Sequence, residues 1–211
     1  MAVSPPARPA PPALASDRSD FRTVTLGGAA IGLITGVAVV LFLAVSRLVP
    51  DAGGLRGAVE ALIVLGAGVA VAFLPASWTA PRGPEGIAGA AAIGLVGTIV
   101  FSAIDIVLFR PLKAYPWTWD AIGGGSTWWY LPVWWMLGTF LAWMGGIVTA
   151  GAAARGETTL ARLAVPVGVA TVIGAVVARL LDLGLAFPVA TGGAFTVTLA
   201  AFAVVALARK G

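Results

Sequence analysis

A polytopic, all-α bundle of six transmembrane helices is the fold class this sequence predicts, and three observations carry the prediction. Of the 211 residues, 59% are apolar and 10% are charged, whereas a soluble domain carries about 25% charge; lipid is therefore the main solvent of this chain. The charges fall singly between six long uncharged runs, 23–46, 61–81, 86–104, 121–154, 163–178 and 183–208. Each run is continuous in hydropathy rather than alternating. In lipid every backbone amide must be paired within its own segment or around a closed barrel, so continuous runs read as helices.

The first 22 residues hold Pro5, Pro6, Pro9, Pro11 and Pro12 among Ala, Ser and Arg. Such a segment cannot bury a core and reads as an extended tail. The run that follows is too long for the apolar part of a signal peptide and has no clear small-x-small cleavage site, so the first helix is expected to stay as an anchor. The second run follows Gly53 and Gly54, with Glu60 at its opening. The third and fifth are short of the roughly 20 residues that cross a core of about 30 Å. They reach it as helices of about 86–109 and 160–183, if Asp105 and Arg179 lie near a membrane face. Pro132 is placed to bend the early fourth helix, and the sixth ends before Arg209 and Lys210.

A repeat underlies the six helices. Shifting the chain by 77 residues aligns Gly97, Val100, Asp105, Leu108 and Pro111 with Gly174, Val177, Asp182, Leu185 and Pro188 without a gap. The first helix joins through Ala29-Ala30-Ile31-Gly32-Leu33, which recurs as Ala91-Ala92-Ile93-Gly94-Leu95. After each helix of this kind come a proline, a glycine group and a second apolar helix. The expected organisation is a tail, 1–22, and one transmembrane domain, 23–211, of three tandem hairpins at about 23–81, 85–152 and 157–208. Small residues recur at helical spacing, as in Gly28, Gly32 and Gly36 or Gly138, Ala142 and Gly146, and let helix backbones approach closely. Packing within the chain is the first use expected of them, and a homo-oligomer or partner interface the second.

With the N-terminus inside, the cytoplasmic side holds Arg8, Arg18, Arg22, Arg82, Arg155, Arg162, Arg209 and Lys210, against Arg47, Arg56, Arg110, Lys113 and Arg179 outside. Eight against five places both termini in the cytoplasm. Arg outnumbers Lys eleven to two and Ala and Gly are abundant, a composition that suggests a GC-rich bacterial genome and hence a bacterial inner membrane. No basic stripe forms, so nucleic acid is not an expected partner.

The chain has no Cys and no His, which removes the usual ligands of haem, chlorophyll, zinc and Fe–S clusters and the commonest general base. No nucleophile elbow or metalloprotease motif occurs, and Ser46, Ser102 and Thr139 have no His or Lys nearby in sequence, so no catalytic or metal site and no enzyme activity are expected. The densest aromatic stretch, 115–135, carries six of the eight tryptophans: Trp117, Trp119, Trp128, Trp129, Trp134 and Trp135. Rings with a polar tip gather at the headgroup level, and an interfacial belt is the plain reading. Their number also suits a docking surface for another membrane subunit or for a flat apolar ligand such as a carotenoid or quinone.

Ionisable residues inside a membrane are functional candidates by default. Asp105 has Arg110 beyond it, Asp182 has Arg179 one turn earlier, and Glu60 reaches Arg56 at i, i+4. Pairing at the interface is the plain reading of each. The sharper one makes Asp105 and Asp182, equivalent under the repeat, the lining of one outward vestibule for a cation or proton. Two functions follow as expectations. The first is a non-catalytic accessory or scaffold subunit of a larger membrane assembly, such as an energy-transducing complex, binding helices, lipids or an apolar pigment. The second is a small transporter or channel that uses Asp105 and Asp182.

Overall fold

The computed structural model describes residues 18–114, 130–153 and 159–209. Its helices, in chain order, are α1 Phe21–Leu48, α2 Leu55–Thr79, α3 Pro84–Ile104, α4 Tyr130–Ala153, α5 Leu160–Leu180 and α6 Phe187–Ala208; a π-helical turn, Asp105–Phe109, continues α3. All six are long and apolar enough to cross a bilayer. The shortest, at 21 residues, span about 31 Å at 1.5 Å per residue. This is a multi-pass integral membrane protein with a six-helix bundle.

Local chemistry sets the ends of these elements. Asp20 caps α1, accepting from the Thr23 amide at 3.1 Å and the Thr23 hydroxyl at 2.6 Å. Those bonds favour its charged form and hold its carboxyl below the usual aspartate range. The helix therefore opens at Phe21, within the segment expected to be tail. Residues 18–20 are themselves held, with the Arg18 amide donating to the Thr79 carbonyl at 2.9 Å. Between α1 and α2 the chain reverses through Gly53 and Gly54, at φ +59° and +81°, where a side chain would be strained. Pro84 opens α3 at its first position, where a missing N–H leaves no helical bond unmade.

Two boundaries differ from expectation. The Asp105–Phe109 segment is π-helical, with the Arg110 amide bonded to the Asp105 carbonyl five residues back at 2.9 Å. Helix α5 ends at Leu180 rather than 183, because Asp182 and Gly184 turn left-handed at φ +48° and +67°. The four tryptophans at 117, 119, 128 and 129, most of the tail and the 154–158 loop lie outside the described residues.

Consecutive helices pair as three hairpins, α1 with α2, α3 with α4 and α5 with α6. The second members, α2, α4 and α6, all touch one another and form the centre. Around them α1 lies against α2 and α3, α3 also lies against α4 and α2, and α5 rests chiefly on α6. Apolar side chains fill the centre: Phe73 from α2, Met144, Ile147 and Val148 from α4, and Phe195 and Leu199 from α6, with Val167 of α5 packed in.

The glycine stripes are where the helices cross. A Cβ on Gly28 would run into Val96, one on Gly32 would stand 2.6 Å from Val100, and one on Gly36 3.7 Å from Ile104. A ridge of α3 thus seats in a glycine groove of α1. Gly94 and Gly138 bring α3 equally close to α4, where a Cβ on Gly94 would stand 2.5 Å from the Gly138 carbonyl oxygen. Gly145 of α4 admits the Ala72 carbonyl of α2.

Candidate functional site

Because successive helices run antiparallel, the C-terminal ends of α1, α3 and α5 share one end of the bundle with the starts of α2, α4 and α6. This far end, opposite the start of α1 and the end of α6, carries every candidate polar residue. It is built from two clusters on the first two hairpins and a third pair of residues on the last.

The first cluster joins α1 to α2. Ser46, in the last turns of α1, donates from Oγ to Glu60 Oε1 at 2.6 Å. Glu60 is 9% exposed and lies one and a half turns inside α2. Arg56, one turn before it on the same face, stands 4.0 Å away from Oε1 through Nε and makes its closer bond, 2.8 Å, from Nη2 to Asp51 Oδ2 in the loop. The guanidinium thus bridges an exposed carboxylate and a buried one. The expected i, i+4 pair is present, while the hydroxyl that satisfies Glu60 comes from a residue that sequence spacing left without a partner.

The second cluster sits on the π turn. Asp105 is 1% exposed and Arg110 Nε lies 3.4 Å from its Oδ2. Burying a carboxylate among apolar side chains is expensive unless a counter-charge comes with it, and Arg110 supplies one from the next turn. Just beyond, the Arg47 guanidinium of α1 donates from Nη2 to the Ala114 carbonyl, tying the ends of α1 and α3. Trp135 of α4 turns its Nε1 to Ser102 Oγ at 3.3 Å, and Ser102 in turn donates to the Thr98 carbonyl at 2.7 Å. Its neighbour Trp134 points outward and is 46% exposed. The two described candidate tryptophans therefore divide, one into the α3–α4 seam and one to the bundle surface.

Arg179 and Asp182 end α5 in a different setting. Both are exposed, and the Asp182 amide donates to the Arg179 carbonyl at 3.2 Å. Their side chains form no ion pair, because the left-handed turn at Asp182 takes it off the helical course on which i, i+3 residues meet. Asp105 and Asp182 match in sequence, yet one is enclosed between packed helices and the other stands on a rim.

Deeper in the bundle, hydroxyls bond to their own helices. Thr35, Thr98, Thr139, Thr171 and Thr196 each donate to the carbonyl four residues back. Such bonds satisfy the hydroxyl without a neighbour and leave it little reason to face a passing solute. Among the described residues no group of three or more acids gathers in a way that would hold a metal. No protein-family model matches the chain, nor does a curated protein or a solved structure.

Proposed function

We propose that this protein is a non-catalytic accessory or scaffold subunit of a larger membrane assembly, resident in a bacterial inner membrane with both termini in the cytoplasm. The observation that carries the reading is the apolar filling of the α2, α4 and α6 centre, with buried charge, among the described residues, confined to the far end. A solute path needs polar groups in series across the bilayer. Here the mid-helix threonines named above are turned to their own backbones, so the bundle offers side-chain packing rather than a relay. Its outward apolar faces suit lipid, neighbouring helices or a flat pigment or quinone, and Trp134 stands on such a face.

The transporter reading keeps one supporting observation, the buried carboxylate Asp105. It gains less from Asp182, which is exposed and lies apart from Asp105 past the end of α5, the helix that rests chiefly on α6. Purification from the native membrane in mild detergent, with an absorption spectrum and mass spectrometry of co-migrating species, tests the proposal. A stoichiometric protein partner is the expected result. A homogeneous single species, together with solute flux lost in an Asp105→Asn, Asp182→Asn variant that still assembles, would replace it with transport.

A further inference from the structure

The repeat makes α5 the counterpart of α3, and α3 uses two faces. One, through Ala90, Gly94 and Thr98, packs on α4; the 77-residue shift maps it onto Val167, Thr171 and Ala175, which are the buried residues of α5. The other is the ridge of Val96, Val100 and Ile104 that fills the α1 groove of Gly28, Gly32 and Gly36. The same shift maps this ridge onto Ile173, Val177 and Leu181. All three are large and aliphatic, keep the four-residue spacing, and are 60%, 46% and 67% exposed. Thus α5, with Leu181 just past its end, repeats both halves of the α3 surface, and among the described residues no helix lies beside the second as α1 lies beside that of α3.

We infer that the Ile173, Val177 and Leu181 ridge docks a transmembrane helix of a partner subunit, one that presents small residues at i, i+4 and i+8 as α1 presents its glycines. The chemistry is that of the α1–α3 crossing. Without water to expel, membrane helices gain from close van der Waals contact, which a groove of small residues permits and a facing ridge fills. Ile and Val also enter such a contact with little side-chain freedom left to lose. A second copy of this chain fits less well, because its own groove at Gly28, Gly32 and Gly36 is already filled by α3.

This inference rests on the accessory-subunit reading, and its test separates the two. The chain has no cysteine, so single variants Ile173→Cys, Val177→Cys and Leu181→Cys carry a benzophenone maleimide at one known position each. Leu33→Cys and Val37→Cys, on the outward face of α1 and similarly exposed, serve as controls. Irradiation in native membranes is expected to yield a protein adduct from the three ridge positions and lipid adducts from the controls. The adduct peptide should carry Gly, Ala or Ser at i, i+4 and i+8. An adduct of twice the chain mass, or a partner peptide with large residues at those positions, overturns the inference. So do ridge positions that label only lipid while a partner still co-purifies, a result that leaves the accessory reading intact. Lipid adducts at the ridge with no partner in the purified material overturn both.

Discussion

At the scale of single residues, the π turn explains how Asp105 is tolerated in the membrane. In an α-helix five residues turn through about 500°, which would leave Asp105 and Arg110 roughly 140° apart around the axis. The i→i+5 register brings the Arg110 backbone and guanidinium back over the acid, with both bonds falling on one residue. Asp105→Ala removes this ion pair and is expected to lower stability by roughly 3 kcal/mol, the lower part of the range for breaking a buried pair, since Arg110 keeps some solvent. Asp105→Asn retains an acceptor for Arg110 and should lose visibly less. Thermal unfolding in detergent reads both, and equal melting of the two variants and the parent would show that the pair holds nothing together. The pairing itself was legible, because an acid and an arginine stand close together near a helix end with no other acid nearby in sequence. Its register was not, since the choice between i→i+4 and i→i+5 bonds depends on what packs around that turn. The Ser46 to Glu60 bond was invisible for another reason: its partners sit on two helices, and only their crossing brings them together.

At the scale of helices, the glycines fall into two classes that sequence alone does not separate. Gly145 lies where the α2 backbone comes closest to α4, so any side chain there must displace the Ala72 carbonyl, which belongs to a helix backbone and cannot swing aside. Gly145→Val is expected to destabilise the bundle by about 3 kcal/mol, at the upper end of ordinary overpacking. Gly66, on the exposed face of α2, has nothing within 4 Å of the position a Cβ would take. Gly66→Ala should be neutral or stabilise by about 0.5 kcal/mol, because alanine loses less backbone freedom in a helix. Melting temperatures of the two variants in the same detergent decide the point, and a stable Gly145→Val protein would mean that α2 and α4 do not cross here. The stripes at Gly28, Gly94 and Gly138 announced close crossings through their spacing. Which helix each one meets was fixed by the topology, and that emerges only when the hairpins are assembled.

At the scale of the whole molecule, the number of helices and their pairing follow from run length and loop chemistry, both of which a single sequence displays. The three-helix centre does not, because α2, α4 and α6 are no more apolar than the helices around them and carry no mark of being inside. Orientation is read from charge alone, and it is the whole-molecule property with the cleanest test. The end bearing the termini carries eight Lys and Arg residues and the far end five. At the far end Arg56 and Arg110 are in addition bonded to Asp51 and Asp105, and Arg47 to the Ala114 carbonyl. Since insertion retains the more basic side in the cytoplasm, the far end, with Glu60, Asp105, Trp134 and Trp135, should face outward. Two single-cysteine variants examine this without touching a basic residue. Ala52→Cys lies in the exposed loop between α1 and α2, and Glu85→Cys is exposed at the start of α3 on the opposite end. A membrane-impermeant maleimide applied to intact cells should label Ala52→Cys at once and Glu85→Cys only after permeabilisation. The reverse pattern would turn the bundle over and place the polar end, with both of its ion-pair clusters, in the cytoplasm.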